Sequence, residues 1–124
     1  MPNPITADEL LAIMQGSGLP TALRDRGLLE SALGAPFAGF GDFEAYPNPF
    51  EKSAVLMRSL IGNHPFVDGN KRAGLFAALL LLRISGYDFD APDNLVYEET
   101  IAVASGQRSI EHIATFLARY ARPF

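Results

Sequence analysis

Apolar positions along the chain recur at three- and four-residue spacing in separate blocks, and the breaks between blocks fall on glycine and proline. Thr6-Ala7-Asp8-Glu9 has the form of a capping box, with Ile5 and Leu10 placed as the two halves of a hydrophobic staple. A first helix is predicted from about Ala7 to Gln15, stopping near Gly16 and Gly18. Asp25 caps a short second helix through Leu28, Leu29, Ala32 and Leu33, which Gly34 and Pro36 end. From about Glu51 the helical spacing resumes with Ala54, Met57, Leu60 and Ile61 on one face. Pro65 disfavours helical geometry at His64, so this helix should end at or just before the histidine. The stretch RAGLFAALLLLRISG is apolar on nearly every side, which predicts a central helix over about 72–85, buried all round and closed by Gly86. A further helix runs from Asp93 or Asn94 to about Ser105. Ser109 then caps a last one carrying Ile110, Ile113, Ala114, Leu117 and Tyr120 at the 3.6-residue period.

One segment breaks the pattern. In APFAGFGDFEAYPNPF, Phe37, Phe40, Phe43 and Tyr46 alternate with glycine and proline, which predicts a loop or small hairpin over 36–49 pinned by aromatic anchors. No other segment shows strand alternation, and no repeat or linker interrupts the chain. The fold class is therefore all-α, a single domain over 1–124 built as a helical bundle around the central helix.

Composition narrows the function classes. At 124 residues and 48% apolar content the chain can bury a core without staples, and with no cysteine it excludes disulfides and zinc–thiolate sites. The N-terminus lacks the layout of a secretion signal, and the longest apolar run, Ala73 to Leu82, is too short to cross a bilayer. A cytoplasmic protein with no membrane partner is expected. Net charge is −4, which argues against a broad nucleic-acid surface, so any bound anion must be held by a local cluster.

Such a cluster stands at residues 64–72, HPFVDGNKR, just where the central helix begins. Gly69 accepts φ > 0 freely and Asn70 tolerates it, so the turn can aim successive backbone N–H groups inward as an anion-binding nest. Lys71 and Arg72 add a mobile point charge and a planar fork, and both oppose the positive end of the helix dipole unless an anion is present. Asp68 supplies a hard oxygen suited to Mg²⁺ shared with substrate phosphates, and His64 can act as a general base near neutral pH. Phe66, between them, would anchor the loop in the core. Each residue alone fits a solvated or purely structural role. Their conjunction describes phosphoryl or nucleotidyl transfer to a hydroxyl.

The same residues resemble the motif HxFx(D/E)GNxxR of the Fic/Doc superfamily, with His64, Phe66, Asp68, Gly69, Asn70 and Arg72 at its fixed positions. RDRGLLESALGAP (24–36), the lead-in FEKSAVLMRSLIGNHPF and the tail IAVASGQRSIEHIA are similar to its death-on-curing branch, so the resemblance spans nearly the whole chain. Where many AMP-transferring members carry glycine after the asparagine, this chain has Lys71, and where they carry a second arginine it has Leu75. Both departures match the branch whose toxins are kinases. The resemblance implies a toxin that transfers the γ-phosphate of ATP to a hydroxyl of a translation protein, with elongation factor Tu the expected target. In it His64 is the base, Asp68 holds Mg²⁺, and Gly69, Asn70, Lys71 and Arg72 contact the phosphates. Phe66 braces the loop, and the 37–46 stretch corresponds to a flap that aligns the target. Phe76 stands where the prototype of the branch has a polar residue near the nucleotide.

No glutamate here is followed by glycine or asparagine, so the inhibitory pattern (S/T)xxxE(G/N) of many Fic proteins is missing. Inhibition would come from another chain, a Phd-like antitoxin whose helix fills a groove near the site. The alternative within enzymes is AMP transfer to a protein hydroxyl. A metal-dependent nuclease is disfavoured by the acidic charge and the lack of a second ligand cluster. A helix-turn-helix DNA binder is disfavoured by the apolar surface of what would be its recognition helix.

Overall fold

The computed structural model describes residues 4–124. Helix α1 (Ala7–Gly16) starts at Thr6, whose hydroxyl accepts from the Glu9 N–H while the Glu9 carboxylate accepts from the Thr6 N–H, so the capping box forms as the pattern requires. Helix α2 (Arg26–Gly34) is capped by the Asp25 carboxylate and runs into a 3₁₀ turn at Ala35–Phe37. Strands β1 (Gly39–Phe40) and β2 (Phe43–Glu44) pair antiparallel as a minimal hairpin. Helix α3 (Pro49–Asn63) follows, capped by Asn48, and helix α4 (Asn70–Ile84) begins one turn after the histidine. The chain closes with β3 (Tyr87–Phe89), α5 (Asp93–Ala104), α6 (Ile110–Arg119) and β4 (Ala121–Pro123).

Helices α3 and α4 form the spine between two apolar cores. On one side Leu56 and Leu60 of α3 and Ala73, Ala77 and Leu81 of α4 meet Leu10 and Met14 of α1 and Leu29 and Leu33 of α2. On the other, Met57 and Ile61 with Ala78 and Leu82 meet Val103 of α5 and Ile113 and Leu117 of α6. The two spine helices approach closely because Gly74 has no side chain: a Cβ there would lie 2.6 Å from Ile61 Cγ1 and 3.1 Å from the Met57 carbonyl. That contact fixes where α4 starts relative to the end of α3, and so fixes the loop between them.

Three expectations need correction. The central helix starts at Asn70, not at about 72, and its last residue, Ile84, is half exposed, so it is not buried all round. Phe40 and Phe43 are not anchors: they are 83% and 63% exposed, because each two-residue strand has no second layer to cover it. Phe37 does pack on the first core. A second antiparallel pair, β3 with β4, was not predicted. It ties the chain end to the end of α4, where Arg83 pairs with Asp88 and its guanidinium lies 5.2 Å from the centre of the Phe124 ring.

Candidate active site

The loop 64–69 is built from both of its helices and from a strand-like segment far upstream. Pro65 stops α3, and His64 takes the left-handed conformation (φ 51, ψ 55) that turns the chain off the helix axis. Pro65 and Phe66 then enter the core, where Phe66 is only 1% exposed. Segment 22–25 lies alongside: Val67 N–H donates to the Ala22 carbonyl at 2.9 Å, and the Arg24 and Asp25 N–H groups both reach the Pro65 carbonyl. The Arg24 guanidinium adds bonds to the carbonyls of His64 (2.8 Å) and Asn63 (3.0 Å). These are carbonyls the helix end leaves without partners, and a cation there also complements the negative end of the helix dipole. The Asn70 side chain closes the loop from within, accepting from the Phe66 N–H and donating to the Phe66 carbonyl.

Gly69 caps α4 with φ 75, and among the described residues no side-chain cap bond reaches the start of that helix. Its first turn holds no acidic residue, and among the described residues no ion pair or hydrogen bond engages the side chains of Lys71 or Arg72. Free helix N–H groups, the positive end of the dipole and two exposed cations therefore converge on one spot.

The spot opens into a cleft of about 630 Å³. His64, Gly69, Asn70, Lys71 and Arg72 line one side, Leu75 the floor, and Asp93, Val96, Tyr97, Thr100 and Ile101 of α5 the opposite wall. A second cavity of about 520 Å³ is lined by Ala38 and Tyr46, which flank the hairpin, and by Arg58, Gly62 and Gly106 among others. His64 borders both. A single imidazole thus borders two clefts, one lined by the start of α4 and by α5, the other by residues that include Ala38 and Tyr46 on either side of the hairpin.

The model of the Fic/DOC family matches residues 4–82, from α1 through most of α4 and including the whole loop. The chain belongs to the Fic/DOC family. It is 38% identical to "Toxin Doc" of Mycolicibacterium smegmatis over 105 residues, covering 80% of this chain and 78% of that one. It is 33% identical to "Protein kinase doc" of Escherichia phage P1 over 121 residues, covering 93% of each. A "Fido domain-containing protein" of Dictyostelium discoideum is 31% identical over 77 residues, covering 56% of this chain and 54% of that one. Both longer alignments extend past the family model, so the likeness includes α5 or α6 as well as the loop.

Of the residues singled out from sequence, His64, Gly69, Asn70, Lys71 and Arg72 surround the first cleft, while Asp68 and Phe66 are not among its lining residues. Asp68 is exposed beside Gly69, and among the described residues no three His, Asp or Glu side chains form a metal cage. A lone exposed carboxylate fits a Mg²⁺ ion that takes its remaining ligands from water and substrate phosphates. The amide of Asn70 is engaged within the loop, so what it offers an anion is its backbone N–H at the helix start. Phe76 packs against the first core and does not line the cleft. Two features escaped the sequence reading: the long-range role of Arg24, which has no local signature, and the α5 wall, where Tyr97 is 68% exposed. The exposure of Tyr97 is visible only in the fold, so the second had no signal in the sequence.

Proposed function

We propose that this protein is a Doc-like toxin, a protein kinase that transfers the γ-phosphate of ATP to a hydroxyl of a translation protein, with elongation factor Tu as its target. The observation that carries the reading is the position of His64 between the two clefts. The relatives named as a toxin and as a protein kinase support it, as does Lys71 standing where many AMP-transferring members carry glycine.

In this reading the backbone N–H groups at Gly69 and Asn70, with Lys71 and Arg72, hold the phosphates of ATP in the first cleft. The acceptor segment lies in the second. His64 takes the proton from the acceptor hydroxyl as its oxygen bonds to the γ-phosphorus, and the bond to the β-phosphate oxygen breaks to release ADP. Asp68 would hold Mg²⁺, which neutralises charge on the phosphates. Arg24 keeps the His64 backbone still through the step. The apolar α5 wall formed by Val96, Tyr97 and Ile101 also offers a surface for the helix of a Phd-like antitoxin. No helix among the described residues is long and apolar enough to cross a membrane.

One reaction run twice tests this. The purified protein is mixed with Mg²⁺ and a bacterial lysate containing elongation factor Tu, with ATP labelled at the γ or at the α phosphate. Label from γ-ATP alone, lost in His64→Ala, is expected. Label from α-ATP would make the protein an AMP transferase.

A further inference from the structure

Lys52 is a charged residue that the transfer chemistry does not use, yet it is 8% exposed. An ammonium is withdrawn from water at considerable cost unless its donors are matched, and here they are. Its Nζ pairs with the Glu44 carboxylate at 3.0 Å, donates to the Tyr46 carbonyl, and lies 5.8 Å from the centre of the Phe37 ring. These partners have one thing in common. Phe37 leads into the hairpin, Glu44 is in its second strand and Tyr46 is at its exit.

The hairpin has little else to hold it in register. Its strands pair only Gly39 with Glu44 and Phe40 with Phe43, extended by one bond from the Ala45 N–H to the Ala38 carbonyl. Two-stranded ribbons of this kind are marginal in water without an external hold. Lys52 supplies that hold from α3, the same rigid helix that ends at His64. At about 1.5 Å per residue the helix sets a separation of roughly 18 Å between the ammonium's Cα and the imidazole's.

We propose that Lys52 is a positioning residue: by holding the second strand at Glu44, the exit at Tyr46 and the lead-in at Phe37, it sets the hairpin relative to the second cleft, which Ala38 and Tyr46 line, and so determines how an acceptor segment is presented to His64. The proposal rests on the transferase reading for its acceptor half, while the grip itself is independent of that reading. Lys52 touches neither cleft, so loss of the grip should weaken the use of the acceptor and leave ATP binding alone.

Amide hydrogen exchange at 38–46 is compared in wild type, Lys52→Met and Glu44→Gln, alongside steady-state kinetics with varied acceptor and varied ATP. Exchange of the Ala45 amide should rise at least tenfold in Lys52→Met and less in Glu44→Gln, with the α3 and α4 amides unchanged. KM for the protein acceptor should rise by a similar factor, and KM for ATP should not move. Unchanged exchange across the hairpin would overturn the grip. Faster exchange with an unchanged acceptor KM, or an equal rise in both KM values, would overturn the positioning role. A wild-type protein that binds ATP but transfers nothing would defeat the transferase reading and the acceptor half together, and the exchange result would still decide the grip. Should Lys52→Met fail to fold, Glu44→Gln with Lys52→Arg as the charge-retaining control carries the comparison.

Discussion

Arg24 and His64 are 40 positions apart in the chain, yet Arg24 Nε donates a 2.8 Å hydrogen bond to the His64 carbonyl and the same guanidinium reaches the Asn63 carbonyl at 3.0 Å. His64 is the single non-glycine residue with positive φ among the described residues, a conformation that costs of order 1 kcal/mol or more and persists only when its surroundings impose it. Arg24 is one of those surroundings. Arg24→Ala should lower both the melting temperature and kcat, by about 1–3 kcal/mol of stability for two charge-assisted bonds. Arg24→Lys should recover only part, because a single ammonium cannot span two carbonyls as a fork does. Equal activity in wild type and Arg24→Ala would show that the loop holds His64 without it.

The imidazole itself is exposed and makes no side-chain hydrogen bond among the described residues, so its removal should affect chemistry far more than folding. For His64→Ala, transfer should fall by about 10²–10⁴, the usual contribution of a positioned general base. His64→Asn suits the left-handed backbone better and should match wild-type stability while staying inactive. A folded variant that retains full activity would remove His64 from the mechanism.

Gly74 makes the spine. A Cβ placed 2.6 Å from Ile61 Cγ1 and 3.1 Å from a backbone oxygen must push α3 and α4 apart, so Gly74→Ala should cost about 1–3 kcal/mol in chemical denaturation. Combining it with Ile61→Ala should give less than the sum of the two losses, since the second change removes the atom in collision. Simple additivity would mean that the Met57 carbonyl is the obstacle that matters.

Asp68→Asn preserves shape and removes charge. Affinity for ATP should drop in the presence of Mg²⁺ and change little in its absence, as measured by calorimetry in both conditions. The same loss with and without the metal would take Asp68 out of the role proposed for it.

The capping box predicts a dependence on acid. The Thr6 N–H, then its hydroxyl, favour the charged Glu9 carboxylate and lower its pKa below the ordinary value of 4.5. A depressed carboxylate stabilises the fold fully above that value, and the contribution disappears as the pH falls through it toward the lower folded value. Thermal midpoints measured down this range should therefore decline less in Glu9→Gln than in wild type. Both proteins declining in parallel would assign the acid sensitivity to other groups.

Much of this was legible in the chain. Helix starts at Thr6, Asp25 and Ser109 follow from local hydrogen-bonding chemistry, and the helix stop at His64 from a steric clash with Pro65, so short-range physics was enough to find them. The grouping at HPFVDGNKR was equally local, because a glycine turn, two cations, a carboxylate and an imidazole all fall within nine residues. Phe40 and Phe43 misled because aromatics recurring every third residue among glycines and prolines read as buried anchors, and whether a second layer covers them is a matter for the whole fold.

By itself, then, the sequence determined the helices, their caps and the set of reactive groups at 64–72, since each depends on neighbours a few residues away. Only the tertiary structure decided that β3 pairs with β4, whose partners lie 32 to 36 positions apart, that Arg24 holds His64, that α5 lines the cleft at the start of α4 and that Lys52 grips the hairpin. Those contacts join residues with no local pattern in common. They form because two cores, packed on either side of the α3–α4 spine, leave the chain no other place to put these segments.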